Sequence, residues 1–345
     1  MTDFIVYSEK KSFDDVIFSG NYPNLKNVFI NHAKIFLNIN LQELQEDLAN
    51  EGVLFRYLHA FGGAKIPESN PNHFINILED GIHLLTSPRS LYILDISESQ
   101  AEKLQNSYGV FVLSSNSLLD DIFKGGFHKE LPKELQLISG SKKGWEILFD
   151  FVLPPSNSVV ITDDWLFKNE ENSKIVGQEN ILSLLNAILP LDLQVEYQIL
   201  IITDDQARAE SKCENMVIEL KKMIEQIRKY PIIVEVVFAD TIHKRKAILN
   251  YLSITCDKGF AMFRVNNLYE IRDDNDFRYE KIFNRTEKAE GDTVFYSDTL
   301  LLSKIKNKCI SVKEYIQNKH QDPNRRILGD CNQDKSIKNR LINDV

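Results

Sequence analysis

The residues best suited to chemistry lie between two apolar segments in the C-terminal half of the chain. Residues 232–239 (IIVEVVFA) have the composition of a buried strand, and residues 247–254 (AILNYLSI) indicate a second one. Between these segments stand one histidine and three consecutive cations: His243, Lys244, Arg245 and Lys246. Guanidinium and ammonium groups bind phosphate oxygens, and arginine does so bidentately. The segment therefore predicts an anion-binding site, with Lys244, Arg245 and Lys246 as its cations.

A second group of candidates consists of aspartates that directly follow apolar segments. They are Asp163 and Asp164 after residues 158–162, Asp204 and Asp205 after residues 195–203, and Asp240 after residues 232–239. Parallel strands would gather these carboxylates at one edge of a sheet, where α/β proteins bind ligands. Oxygen ligands there can hold Mg²⁺ for phosphodiester hydrolysis. The alternative is that they cap the helices that follow. We therefore expect no cofactor, with an Mg²⁺ site at Asp163, Asp204 and Asp240 as the alternative.

Composition limits the class of protein. The chain has 345 residues, of which 43% are hydrophobic and 26% charged, and its formal net charge is −9. Residues 303–345 carry ten Lys/Arg and five Asp/Glu, which gives +5 there and −14 elsewhere. Overall acidity argues against a protein that coats nucleic acid with its whole surface. A basic end can recruit an anionic partner, although a solvated terminal segment is the simpler interpretation.

Targeting signals are not evident in the sequence. No apolar run approaches the roughly 18 residues of a membrane span. The first residues, MTDFIVYSEKK, lack the basic region of a signal peptide. The four cysteines are far apart and are expected to be reduced thiols. These features predict a cytoplasmic protein without a membrane span.

The first part of the chain, residues 1–140, predicts a mixed α/β domain of unknown type. Residues 91–96 (LYILDI) indicate a buried strand that ends near Asp95, and Ser97 opens a helix. Asp95 is a catalytic candidate because of this position at a strand end, and a turn or cap residue is the alternative. Residues 28–30 are expected to form a short strand.

The second part, residues 141–320, predicts another α/β domain. A helix over residues 145–152, strands over 158–162 and 195–203, and further helices over 181–189 and 216–227 alternate along the chain. Such alternation is typical of a mostly parallel sheet covered by helices on both faces, with antiparallel strands added at one side. Residues 293–296 indicate a short strand. Residues 321–345 are expected to form a polar, basic tail.

Three stretches of this second part give a specific resemblance. They are GWEILFDFVLPPSNSVVITDDWL, GQENILSLLNAILP followed by QVEYQILIIT, and IHKRKAILNYLSITCDKGFAMF. The region of residues 141–320 resembles the phospholipase D-like superfamily. It is most similar to the single-copy form found at the C terminus of the MIT-domain-containing protein of membrane abscission and in bacterial relatives.

The resemblance implies roles for individual residues. Active members carry the motif H-x-K-x-x-x-x-D, in which the histidine attacks phosphorus, the lysine holds phosphate oxygens and the aspartate supports the histidine. The residues of this chain that match are His243, Arg245 and Asn250. Asparagine lacks the carboxylate charge that stabilises an imidazolium, and no second motif occurs, although a homodimer would pair two copies of His243. These departures favour a degenerate, non-catalytic site.

Three functions follow from these features. The first is a cytosolic binding or regulatory protein whose degenerate site engages a phosphate-containing ligand or a protein partner. The resemblance implies that such a protein acts in bacterial phage defence or the stress response. The second is a phosphodiesterase or nuclease that uses His243 across a dimer, or a metal at the strand-end aspartates. The third is an interaction scaffold that contacts its partner through the N-terminal domain.

Overall fold

The computed structural model describes residues 4–31, 33–61, 65–149, 151–168, 170–204, 210–239, 242, 244–265, 267–284, 293–319 and 324–345. The contacts divide the chain into two compact units. The first comprises Met1–Gly125, Lys281–Thr299 and Asp344, and the second comprises Gly126–Glu280, Leu300–Asn343 and Val345. Both contain strands and helices, so the predicted α/β class is confirmed.

The first unit contains a five-stranded sheet with helices in its connections. Its strands are β1 Phe4–Ser8, β2 Ala33–Leu37, β3 Glu68–Ser69, β4 Leu91–Leu94 and β5 Phe111–Ser114. Its helices are α1 Lys10–Phe18, α2 Pro23–Asn31, α3 Leu41–Ala49, α4 Val53–Ala60, α5 Pro71–Glu79 and α6 Glu98–Tyr108, with 3₁₀ turns at Gly81–Thr86 and Asp121–Phe123. The strand order is β3-β2-β1-β4-β5, and all neighbours are parallel.

Local sequence explains most of this unit. Every residue of β4 and β5 is buried, as expected for strands covered on both faces. Helix α6 begins with a capping box, in which the Ser97 hydroxyl accepts from the main-chain N–H of Gln100 and the Gln100 side chain accepts from that of Ser97. The strand predicted at residues 28–30 is wrong. These residues continue α2, whose buried face includes Val28 and Phe29.

The second unit has an eight-stranded sheet and six short strands outside it. The main strands are β6 Gly126–Leu131, β9 Ser158–Thr162, β12 Tyr197–Thr203, β13 Ile232–Phe238, β14 Lys246–Leu249, β15 Leu252–Cys256, β18 Asn275–Lys281 and β19 Arg326–Gly329. Short pairs are formed by β7 Ile138–Ser139 with β8 Lys142–Lys143, β10 Glu170–Glu171 with β11 Lys174–Ile175, and β16 Phe263–Arg264 with β17 Asn267–Ile271. The helices are α7 Trp145–Leu148, α8 Val176–Ile188, α9 Glu210–Glu225, α10 Val294–Gln317 and α11 Arg340–Asn343, of which α10 begins among residues of the first unit.

The large sheet is mixed, which corrects the prediction of a mostly parallel one. Its order is β19-β13-β12-β9-β14-β15-β18-β6, and the parallel pairings lie among β13, β12 and β9. Antiparallel pairings join β19 to β13, β14 to β9, β15 to β14 and β6 to β18. Helical crossovers explain the parallel centre, whereas β14 and β15 follow as a hairpin and β19 arrives from the far end of the chain.

Both faces of the sheet are covered. Along β12, Ile199 and Ile201 belong to one buried cluster with Leu184 of α8 and Leu220 of α9. Leu200 and Ile202, which point the other way, belong to a second cluster with α10 and α11.

Three element predictions in this unit need correction. The single strand expected over 247–254 is a hairpin that turns at Asn250 and Tyr251. Helix α7 is one turn long and does not extend to 152. Residues 294–296, expected in a strand, begin α10, where Val294 is buried.

Residues 326–343 are part of the fold, which differs from the predicted polar tail. Strand β19 pairs with β13, and Ile327, Leu341 and Ile342 are buried. The buried Glu235 carboxylate of β13 accepts from the main-chain N–H groups of Lys338 at 2.8 Å and Asn339 at 3.1 Å. The polar composition misled the prediction because these polar groups bond to the sheet rather than to water.

The amide of Asn339 extends this attachment across the parallel strands. Its Nδ2 donates to the carbonyl oxygens of Val159 in β9 and Gln198 in β12, at 3.1 Å each. The side chain is fully buried. One short segment thus contacts all three parallel strands.

Among the described residues, no helix combines the length and the apolar character that a membrane crossing requires.

Candidate anion-binding site

The predicted cationic segment reaches the edge where the parallel strands end. Strands β9, β12 and β13 run in the same direction, and β14 runs back along β9 with Lys246 opposite Thr162. Lys244 and Arg245 therefore lie next to the residues that follow β9. Lys244 is exposed, and Arg245 and Lys246 are half-buried. His243 and Asp240 lie outside the described residues.

Arg245 is fixed by the turn after β15. Its Nη1 donates to the carbonyl oxygen of Asp257. Its charge also acts on Asp163, where it opposes the increase in pKa that burial causes. Arg245 is therefore held within electrostatic range of Asp163, at the edge where an anion would approach.

Asp163 is a structural residue of this edge. It is 2% exposed, and its Oδ1 and Oδ2 accept from the main-chain N–H groups of Trp165 at 3.1 Å and Phe260 at 2.8 Å. Burial raises its pKa, and these two bonds and Arg245 counteract that effect. Gly259, with φ of +93°, allows the close approach, because a Cβ there would come within 2.5 Å of Asp163 Oδ2.

Asp164 holds the chain that leads into the cationic segment. Its Oδ1 accepts from the main-chain N–H of Ile242 at 3.1 Å. The two aspartates after β9 therefore position the turn at Gly259 and the backbone at Ile242, respectively.

These bonds bear on the alternative magnesium site. The oxygens of Asp163 both accept main-chain hydrogen bonds, which is the role of a turn residue rather than of a metal ligand. Asp204 follows β12 at the same edge and is half-buried. Within the described residues, no group of three or more His, Cys, Asp or Glu side chains is arranged to hold a metal ion. Asp163 and Asp204 follow neighbouring strands at this edge, and the Mg²⁺ site that includes Asp240 stays a prediction.

Asn250 and Arg245 lie at opposite ends of strand β14, and therefore at opposite ends of the sheet's strands. Because β14 is antiparallel to β9, its end lies beside the start of β9. The buried Oδ1 of Asn250 accepts from the main-chain N–H groups of Asn157 at 3.0 Å and Ser158 at 3.2 Å. Its Nδ2 donates to Asn157 Oδ1 at 3.2 Å. The structure thus separates Asn250 from the cations with which the motif grouped it.

An exposed tryptophan was missed by the sequence analysis. Trp165, two residues after Asp163, is 47% exposed, and the Lys168 ammonium lies 3.7 Å from the centroid of its ring. Its main-chain N–H is the one bound by Asp163. The signal was an aromatic residue directly after two strand-end aspartates in the sequence DDWL.

The carboxyl edge of the five-stranded sheet carries a separate polar network. Asn38 Nδ2, after β2, donates to both carboxylate oxygens of Glu9 at 3.0 Å. The main-chain N–H of Asp95 donates to Glu9 at 3.4 Å, and Ser115 Oγ donates to Asp95 Oδ1 at 3.3 Å. Burial raises the pKa of Glu9, and the bond from Asn38 opposes this increase. Asp95 therefore belongs to a hydrogen-bonded group at the ends of four strands.

Comparisons with known proteins do not assign the chain to a family. No protein-family profile matches it, and no curated protein matches it significantly.

Proposed function

We propose that this protein is a binding or regulatory protein whose site at the carboxyl edge of the eight-stranded sheet engages a phosphate-containing ligand without hydrolysing it. The observation that carries the proposal is the separation of Arg245 from Asn250. The cations that suit a phosphate lie at one edge, whereas the residue that would support a catalytic histidine bonds to main-chain groups at the other. The resemblance to the phospholipase D-like superfamily is part of this proposal.

The exposed ring of Trp165 supports the proposal that the ligand carries a nucleobase as well as a phosphate. Exposed aromatic rings stack on nucleobases, and neighbouring lysine and arginine side chains bind the backbone phosphates. Trp165 and Lys168 lie beside the edge that bears Lys244 and Arg245. We therefore take a short single-stranded DNA as the probe ligand.

The test compares cation variants in a fluorescence-anisotropy titration with labelled DNA. Arg245→Gln and Lys244→Gln are each expected to weaken binding and to reduce the slope of log K against log salt by about 1 per lost phosphate contact. Lys222→Gln, which removes an exposed lysine of α9, is the matched control and should leave both unchanged. Equal affinity of all variants for the DNA would contradict the proposal that Lys244 and Arg245 form the binding site.

The same DNA separates binding from catalysis. Wild-type protein is incubated with it in Mg²⁺ or in EDTA, beside His243→Ala. If the proposal is right, the DNA stays intact in every sample, and both the wild-type protein and His243→Ala still bind it. Cleavage that His243→Ala abolishes would instead establish the phosphodiesterase, and cleavage lost only in EDTA would indicate metal-dependent chemistry. A stable co-purifying protein with no DNA binding would favour the scaffold.

Two further parts of the proposal concern the cell. We propose a cytoplasmic protein, and the resemblance supports a role in bacterial phage defence. Phage challenge of a host expressing wild-type protein or Arg245→Gln would test that role, because only the wild type should reduce plaque formation.

A further inference from the structure

The second unit contains a cavity of about 160 Å³ between α10 and the C-terminal segment. It lies away from the carboxyl edge described above and involves none of its residues. Three lysines line it: Lys306 and Lys313 from α10, and Lys335 from the segment after β19. No carboxylate is found among its described lining residues.

The lysines come together because of helix periodicity and a local ion pair. Lys306 and Lys313 are two helical turns apart, so both face the same side of α10. Lys313 Nζ pairs with Asp334 at 2.6 Å, and Lys335 Nζ donates to the carbonyl oxygen of Ile327 at 3.3 Å. Lys306 donates to the main-chain oxygen of Val345. Each ammonium has three N–H donors, so one such bond leaves capacity to bind a ligand.

The floor of the cavity is apolar and uncharged. Cys309, Ile337 and Ile342 line it and are buried. Burial raises the pKa of the Cys309 thiol to about 12, so it adds no negative charge near neutral pH. A ligand that fills the cavity would therefore meet an apolar surface below and three ammonium groups at the side, of which that of Lys313 already pairs with Asp334.

The volume limits the size of the ligand. An apolar cavity of about 150 Å³ is known to admit benzene. A single six-membered ring is thus of the size that this volume can hold. Charge complementarity adds one anionic group that reaches the lysines.

We propose that this cavity is a binding site for a small aromatic carboxylate of the size of benzoate. The carboxylate contacts the lysines from α10 and the C-terminal segment, and the ring packs on the apolar floor. The site is independent of the anion-binding function proposed for the sheet edge.

The first test is calorimetric titration of the full chain with benzoate and with benzamide, which has the same ring without the charge. Benzoate should bind with one-to-one stoichiometry, and benzamide should bind at least about tenfold more weakly, because it lacks a charge-assisted hydrogen bond. The double variant Lys306→Gln/Lys335→Gln should lose benzoate affinity by a similar factor. Lys304→Gln, an exposed residue of the same helix, is the control and should not change it.

A second test uses the wild-type chain and so does not depend on the folding of a variant. Alkylation of each cysteine is followed by peptide mass spectrometry under mild denaturant. Benzoate should slow the modification of Cys309 selectively, with Cys213 and Cys256, buried elsewhere in the unit, as internal references. Absence of benzoate binding, equal binding of benzamide, or no selective protection of Cys309 would each overturn the proposal.

Discussion

The two sheets differ in how they use the polar residues at their edges. In the five-stranded sheet, Glu9, Asn38 and Asp95 bond largely to one another at the ends of adjacent parallel strands. In the eight-stranded sheet, Asp163 and Asp164 bond to main-chain N–H groups of distant segments. A carboxylate at a strand end can thus serve a local network or hold another part of the chain. Only the contacts distinguish the two roles.

The sheets also differ in the origin of their strands. The parallel sheet is built from successive strand–helix units within the first 114 residues. The outermost strands of the mixed sheet are β6 and β19, which are about 200 residues apart in the chain. Glu235 and Asn339 attach the C-terminal segment to the strands at its centre. Its stability should therefore depend on contacts between residues far apart in sequence.

The largest expected effect in this comparison comes from Asn339→Ala. The substitution leaves two buried carbonyl oxygens, those of Val159 and Gln198, without this donor, and we expect a loss of about 3 kcal/mol in the free energy of unfolding. Both tryptophans, Trp145 and Trp165, belong to the second unit, so urea unfolding followed by tryptophan fluorescence reports this unit.

The matched control is Asn332→Ala, which removes an exposed amide bound to Ser336 in the same segment. It should change the free energy of unfolding by no more than about 0.5 kcal/mol. An effect of Asn339→Ala as small as that expected of Asn332→Ala would show that the segment is a dispensable tail.

The next prediction concerns how the free energy of unfolding depends on pH through the Glu235 carboxyl. Burial raises the pKa of this carboxyl from 4.5 to about 7, against the opposing bonds from Lys338 and Asn339. Because the folded state then holds a proton that the unfolded state has released, stability is greatest below pH 4.5 and falls as pH rises towards about 7. The contribution is at most about 3 kcal/mol.

Glu235→Gln removes this titration. Its free energy of unfolding, measured by urea between pH 5 and pH 8, should lack the part of the slope that the wild-type carboxyl causes. A variant whose slope matches that of the wild type would mean that the Glu235 pKa is the same in the folded and unfolded states.

The smallest effects are expected from substitutions of one strand-end aspartate in each sheet, Asp163 and Asp95. Asp163→Asn replaces one acceptor oxygen by an N–H₂ group that faces a main-chain donor, so a loss of about 2 kcal/mol is expected for the second unit. Asp95→Asn keeps the acceptor for Ser115 and should change stability by no more than about 0.5 kcal/mol.

Tryptophan fluorescence measures the first variant, and hydrogen exchange of the β4 amides measures the second. If Asp95→Asn destabilised its sheet as much as Asp163→Asn destabilises the other, the distinction between local network and long-range attachment would not hold.

Sequence reasoning succeeded where a structure depends on neighbouring residues. The capping box at Ser97 and the apolar runs of β4, β9, β12 and β13 are local patterns. The cations that the sequence singled out begin β14, with Lys246 opposite Thr162 at the end of β9, and the anion site they would form stays a prediction.

It did not succeed where the deciding contact is distant. Strand β19 looked like a polar tail because its partner, β13, lies far back in the chain. The motif of the resemblance grouped Asn250 with Arg245, but the hairpin of β14 and β15 places Asn250 at the opposite ends of the strands. Trp165 was not predicted because only the fold shows that its ring is exposed and lies against the Lys168 ammonium.

The position of β19 also has a consequence for synthesis on the ribosome. The five strands of the parallel sheet emerge early, whereas β13 waits for β19 until most of the chain has been translated. During that interval β13 exposes an unpaired edge, which is the feature by which nascent chains aggregate. A chaperone that protects this protein during translation would therefore be needed most at β13.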